Sequence, residues 1–289
     1  MSLRLLVIGD IAWDVLVRPV ADFVWGADVY GSVDLLPGGS SANVAVWAHR
    51  LGAHVTLVGK VGHDRMGQLM RGHLEDEGVA ERVAMVHGET TRIGVIVRPD
   101  GEHAFVTDHT HPLHVEATDL PLAMLDRTDV VFLNGYSVFM ARSASFARPL
   151  FDEARRRDIP VAFDPSSASL IGVYGAARLL DELGALDVLL ANEDEARALA
   201  PGQPAVSLLS RARLVVIKQG GLGATAIGAT GTTTAPAESI SAVDTTGAGD
   251  AFDAAFLVEY GQHGNLDVAL AAANHLGARV ASRLGAQTL

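Results

Sequence analysis

Short runs rich in leucine and β-branched residues recur along the chain: Leu3–Gly9, His54–Lys60, Val130–Asn134, Ile159–Asp164, Asp187–Asn192 and Leu214–Lys218. Stretches with apolar residues at helical spacing lie between them. Ser40–Leu51 puts Val44, Trp47, Ala48 and Leu51 on one stripe, and Ala251–Tyr260 and Leu266–Arg283 are long alanine-rich patterns. Strands alternating with helices predict a parallel sheet with helices on its faces, and the stripes, Trp47 included, read as core. Two stretches break the alternation. Ala12–Leu36 is rich in valine and aromatics, and in Thr90–His111 the runs Ile93–Arg98 and His103–Thr107 flank Pro99-Asp100-Gly101, a hairpin signal. Both are expected to be antiparallel strands that leave the main sheet and return as a small second layer.

A chain of 289 residues, 49% hydrophobic and 19% charged, is an ordinary globular composition, which excludes disorder, collagen-like repeats and a coiled coil. With 22 Lys+Arg against 34 Asp+Glu the net charge is −12, so nucleic acid and anionic membrane are not expected partners. A small phosphate compound remains open, because backbone N–H groups and a metal ion hold phosphate without net positive charge. There is no cysteine, hence no disulfide, thiolate metal site or cysteine nucleophile. The apolar run at the N-terminus reaches Asp10 too soon for a signal peptide, so a cytoplasmic location is expected.

The segment Asp244-Thr245-Thr246-Gly247-Ala248-Gly249-Asp250 follows a strand-like run ending near Val243 and precedes a helical pattern. Small residues at Gly247, Ala248 and Gly249 allow a tight turn that aims several N–H groups at one point at a helix start, an anion cradle. Asp250 beside it is placed to accept a proton from a hydroxyl attacking phosphorus; a helix cap is the plainer alternative. Gly38-Gly39-Ser40-Ser41-Ala42-Asn43 lets a ligand approach the main chain, with Asn43 able to donate and accept, although a loop and cap would look the same. Asp10 and Asp14 lie at the end of the first strand, where doubly wound sheets bind ligands.

Together these segments resemble the ribokinase-like (PfkB) carbohydrate kinase family. Asp244–Asp250 is similar to its C-terminal signature. Gly38–Ala45 followed by Gly59-Lys60-Val61-Gly62-His63-Asp64-Arg65-Met66-Gly67 is similar to its N-terminal one. Asn192-Glu193-Asp194-Glu195 resembles the family's Asn-x-x-Glu motif, and Gly285-Ala286 extends the likeness to nearly the whole chain. The resemblance implies a three-layer α/β/α sandwich with a mainly parallel sheet and a small β-sheet lid. The lid would be 12–36 and 90–111, on a core of 1–11, 37–89 and 112–289.

It further implies Asp250 as general base, with Gly247, Ala248 and Gly249 as the anion hole. Asp14, Gly38, Gly39, Asn43 and Asn134 would bind the sugar. Asn192, Lys218, Gly220, Gly223 and Asn274 would bind ATP; Glu195 would organise Mg2+, through water, and Asp244 and Thr246 a monovalent cation such as K+. Lid closure would exclude water, and the lid would pair two subunits in a homodimer.

Other features are discounted. Gly221-Leu222-Gly223-Ala224-Thr225-Ala226 fits a loose dinucleotide fingerprint, but Ile227–Ala235 is not helical, and no P-loop motif exists around the two lysines, Lys60 and Lys218. His109, His111 and His114 read as loop histidines rather than a zinc or nickel site. The expected activity is ATP-dependent phosphorylation of a primary hydroxyl on a sugar or polyol. A nucleoside kinase, whose purine would want stacking surfaces such as Phe23 or Trp25, and a non-catalytic sensor are the alternatives. Relatives acting on acidic keto-sugars carry Asp-x-Asn-x-Arg where this chain has Asp164-Pro165-Ser166-Ser167-Ala168, which argues against a carboxylate-bearing substrate.

Overall fold

The computed structural model describes residues 2–97, 103–108 and 113–288. The strands of its main sheet are β1 (Arg4–Ile8), β4 (His54–Gly62), β5 (Arg82–Val86), β8 (Val130–Asn134), β9 (Val161–Asp164), β10 (Leu186–Asn192), β11 (Ala212–Lys218), β12 (Ala224–Gly228) and β13 (Gly231–Ala235). Their order is β13-β12-β11-β10-β9-β8-β1-β4-β5. From β5 through β11 every neighbouring pair is parallel, while β11, β12 and β13 pair antiparallel. The threonine- and glycine-rich stretch after Gly223 is therefore an edge hairpin, which removes the helix a dinucleotide fold needs.

The apolar strand runs are buried on both faces because successive side chains alternate. In β1, Leu5 and Val7 join one core cluster and Leu6 and Ile8 the other. The first cluster is completed by α1 (Ser40–Arg50), α2 (Arg65–Asp76), α8 (Ala248–His263) and α9 (Leu266–Ala281). The second lies under α3 (Gly135–Ala141), α4 (Arg148–Arg156), α5 (Ala168–Tyr174), α6 (Ala176–Leu183) and α7 (Glu193–Leu199). This is a three-layer α/β/α sandwich. Val44, Trp47 and Ala48 are core as expected, but Leu51 falls just past the end of α1 and is exposed, since the helix stops at Arg50. The run before Val243 is not a strand: Val243 is exposed, and its N–H bonds the Ala281 carbonyl instead of a ladder.

A four-stranded sheet, β3-β2-β6-β7, stands apart, from β2 (Ala12–Pro19), β3 (Gly31–Gly38), β6 (Thr91–Val97) and β7 (His103–Thr107). Each hairpin, β2/β3 and β6/β7, is antiparallel as expected. The two join through a parallel β2/β6 pairing, which the sequence reading did not include. The Pro99-Asp100-Gly101 turn lies outside the described residues.

Candidate active site

The site is built where parallel strands end. Asp10 follows β1, and Asn134, Asp164, Asn192 and Lys218 close β8, β9, β10 and β11. Chain order reverses on either side of β1, and the carboxyl ends of strands beside such a reversal open into a crevice. A 740 Å3 cavity occupies it, walled by Asp10, Asp14, Asn43, Asp164, Glu195 and Asp250 among others. A second cavity of 490 Å3 adjoins it and shares Lys218, Gly220, Thr245 and Gly249. Its walls are mostly apolar or small, with Ile240, Phe252, Gly277 and Ala278, and they include Gly223, Ala248 and Asn274.

Asp10 serves the start of α1. Gly39 has no side chain to cap that helix, so Asp10 Oδ2 accepts from Ser40 N at 3.0 Å and Oδ1 from Ser41 N at 3.1 Å. Asn134 Nδ2 donates to Asp10 Oδ1 at 2.5 Å, and its Oδ1 caps α3 through Ser137 N at 3.0 Å. Asn134 is buried behind the wall and orients Asp10, which lines the cavity. Gly38 is also behind the wall. A Cβ there would fall 2.3 Å from Asp14 Oδ2, so glycine makes room for that carboxylate.

Asp250 lies in the first turn of α8, whose first amides lack helical partners and favour negative charge. Gly247 caps this helix in the left-handed region, φ 75°, and a Cβ would lie 2.3 Å from that of Ala286. Gly247, Gly249 and Asp250 line the larger cavity; Ala248 lines the smaller, and its N–H closes a turn onto Thr245 O at 3.2 Å. Asn43 Nδ2 donates to Asp250 Oδ2 at 2.7 Å. Burial pushes Asp250 up to about 7, the Asn43 bond pulling against it and Asp164 and Asp10 adding to the rise. Burial and then the charges of Asp250, Asp10 and Asp244 push Asp14 up to about 7 as well.

Among the described residues on this wall the cation is Lys218. Its Nζ contacts Asp164 Oδ2 at 2.5 Å and Asp253 Oδ1 at 3.0 Å, and lies 3.6 Å from where a Cβ on Gly249 would sit. Burial would lower the lysine, but the two aspartates more than reverse that and keep it charged. Burial opposes ionisation of Asp164 too, and Lys218 overcomes it, holding this carboxyl below its usual range. Asp253, wholly buried, is pushed well above its usual range by burial, and its hydrogen bond with Asp164 adds to that. Burial and Lys218 thus drive the two carboxyls apart, Asp164 down and Asp253 up.

Asn192 and Glu195 form a capping box on α7. Glu195 N donates to Asn192 Oδ1 at 2.8 Å, and Asn192 N and Nδ2 donate back to the Glu195 carboxylate at 2.9 and 2.8 Å. Burial, then Asp164, raise Glu195 to about 7 against the pull of Lys218. Asp244 is buried off the cavity, accepting from Thr246 N at 2.9 Å and Gly285 N at 3.0 Å, while Thr246 Oγ1 is buried without a hydrogen-bond partner. Asn274 Nδ2 donates to the carbonyls of Ala235 and Pro236 at 3.0 and 3.1 Å, fixing one wall of the smaller cavity. Among the described residues no group of three or more His, Asp and Glu is arranged to hold a metal unaided, and His109 and His111 lie outside them. Phe23 and Trp25 are exposed and do not line either cavity; Ile93, Ala104 and Phe105 of the small sheet are among the apolar residues on the larger wall.

The sequence reading missed Asp253 as a member of the site. Its signal was a carboxylate one helical turn past Asp250, on the face otherwise given to alanine and phenylalanine.

A family model described as pfkB family carbohydrate kinase matches residues 4–289. The ATP-dependent ribose-1-phosphate kinase of Halopiger xanaduensis is 35% identical, covering 99% of this chain and 94% of its own. The fructokinase of Klebsiella pneumoniae is 30% identical over 100% of this chain and 96% of its own. The crystal structure of adenosine kinase from Sinorhizobium meliloti superposes with a TM-score of 0.88 at 23% identity, covering 100% of this chain and 97% of that one.

Lys218→Met removes the counter-charge of a buried carboxylate and is expected to lower unfolding free energy by about 3–5 kcal/mol in urea titrations. Asp253→Asn keeps the shape of a group that burial pushes toward its neutral form, and is expected to change it by no more than about 1 kcal/mol. Equal losses in the two variants contradict this charge assignment. The raised carboxyls make a second prediction. Asp14, Glu195 and Asp250 hold protons more tightly folded than unfolded, so their stabilising contribution is complete below about 4 and is lost as pH rises through about 7. The melting temperature of the ligand-free protein is expected to fall between about pH 5 and pH 8, with a shallower slope in Asp14→Asn/Asp250→Asn, read by scanning calorimetry.

Proposed function

The chain belongs to the pfkB family of carbohydrate kinases, and on that premise we propose that it transfers the γ-phosphoryl group of ATP to a primary hydroxyl of a sugar or sugar-like polyol. The observation that carries this reading is Asp250 at the start of α8, fixed by Asn43 on the wall of a polar cavity that joins a more apolar one. The adenine of ATP takes the apolar cavity between Ile240, Phe252 and Gly277, with Gly220, Gly223 and Asn274 around it. The phosphates pass the shared wall of Lys218 and Gly249. The sugar lies against Asp14, Gly39 and Asn43.

Asp250 takes the proton of the attacking hydroxyl as the new O–P bond forms and ADP departs. The amides of Gly247 and Gly249 and the Lys218 ammonium face the charge on the phosphoryl oxygens. Ala248, with its N–H turned to Thr245, supports the turn rather than the phosphate.

Glu195 fits Mg2+: its raised affinity for protons marks a carboxylate that a cation would relieve, and Mg2+ is typically held by one or two carboxylates, water and substrate phosphates. Held at Glu195, Mg2+ would neutralise phosphate charge. The partnerless Thr246 Oγ1 beside Asp244 fits a monovalent cation such as K+. A nucleoside acceptor is the second reading, favoured by Ile93 and Phe105 on the larger wall. No helix of the described residues is long and apolar enough to cross a membrane, and we place the enzyme in the cytoplasm with its ATP.

The small sheet, 12–36 with 90–111, acts as the lid over the core of 1–11, 37–89 and 112–289, and pairs two subunits. By strand register Val15, Val17, Val33, Leu35, Ile96 and Val106 share its outer face, with Val33 70% exposed. An apolar face of that extent marks an interface.

ADP release is expected with at least one acceptor in a panel of ribose, ribose 1-phosphate, fructose, other hexoses, keto-sugars and nucleosides. Asp250→Asn should reduce that turnover by about 10²–10⁴-fold with ATP binding retained. Release with none of them favours the sensor reading, and full turnover in Asp250→Asn refutes the base. Val33→Asp with Val106→Asp is expected to convert a dimer into a monomer in light scattering coupled to size exclusion; a monomeric parent chain defeats the pairing.

A further inference from the structure

Asn43 and Asp250 are the last link of a longer chain of hydrogen bonds. The Asn43 Oδ1 accepts from Gln287 Nε2 at 2.8 Å, and Gln287 Oε1 meets His73 Nε2 of α2 at 2.7 Å. An amide oxygen has no proton to give, so His73 Nε2 is the donor. Every donor then points the same way, from His73 to Gln287, to Asn43, to Asp250, and each amide is fixed in one of its two orientations. Asn43 and Gln287 are 3% and 6% exposed, so neither amide has water as a ready substitute. The backbone around Gln287 is tied down separately: Arg50 Nη1 donates to Gln287 O at 2.6 Å, Trp47 Nε1 to Ala286 O at 2.8 Å, and Arg50 pairs with Glu77 at 2.6 Å.

We propose that Gln287 and His73 are positioning residues for phosphoryl transfer. They hold the Asn43 NH2 toward Asp250, which anchors Oδ2 and leaves Oδ1 to the acceptor hydroxyl. This rests on the reading of Asp250 as the base. If Asn43 turned over, its carbonyl would face the carboxylate and repel it. The other ionisable groups around Asp250 are Asp10, Asp14, Asp164, Glu195, Tyr136 and Lys218, and none belongs to this chain of bonds.

Gln287→Glu supplies an acceptor where Asn43 needs a donor, and Gln287→Met supplies neither. Turnover is measured as ADP release with D-ribose, D-fructose and adenosine as acceptors, beside Asp250→Asn. Gln287→Glu is expected to lose about tenfold in kcat, about the effect of one misdirected hydrogen bond to a charged group, with KM for ATP unchanged. The acid limb of its pH profile moves upward, because Asp250 loses a donor that favours its charged form. His73→Gln, which can still donate, retains most of the activity, and His73→Leu shares the loss. Wild-type kcat and acid limb in Gln287→Glu, while Asp250→Asn is inactive, overturn the positioning role alone. Full activity in Asp250→Asn overturns the base assignment instead. If Gln287→Glu does not fold, Gln287→Met and His73→Leu decide by the same acid limb.

Discussion

One lysine holds this site together. Lys218 faces two buried aspartates at the end of β11, in a crevice that also carries Asp10, Asp14, Glu195 and Asp250. Like charges at these spacings in a poorly solvated wall cannot all ionise, and protonation is the cheapest relief. The protein divides them into classes. Asp10 and Asp244 accept hydrogen bonds from backbone amides, and Asp164 pairs with Lys218. Burial pushes Asp253 well above its usual range. Asp14, Glu195 and Asp250 are left raised to about 7, the groups with most to gain from a ligand that brings hydroxyls or cations.

That division follows from where each residue sits. Asp10 finds amides because α1 lacks a capping side chain of its own. Asp250, in the first turn of α8, takes a side-chain amide from Asn43 instead. A site of this kind is less stable empty than its core would allow, a common trade between stability and function. The 740 Å3 cavity is polar where the acceptor would bind and the adjoining 490 Å3 cavity is apolar, so the two differ in chemistry while sharing the lysine wall.

The parallel strands and their helices were legible in sequence because the period of apolar residues is a local property. The glycine-rich turn before α8 was legible too, since few residue types tolerate a left-handed cap pressed against Ala286. The partners of those residues were not. Asn43 meets Asp250 across 207 residues and Gln287 across 244, separations at which no periodicity carries information. That Asn134 bonds Asp10 was not legible either, because a strand end fixes a residue's position but not which side chain it meets. The β12–β13 hairpin hid behind glycine and alanine, which are depleted in strands, and pairing along β11 settles it.

Asn192 and Glu195 show why a plain structural role does not compete with a chemical one. The capping box satisfies the first amides of α7 and uses both glutamate oxygens, yet burial beside Asp164 still raises Glu195 to about 7. Amide donors orient the carboxylate without supplying a full countercharge, so its negative charge remains available to a cation in the cavity. The same geometry that ends β10 and starts α7 therefore sets the direction of the carboxylate.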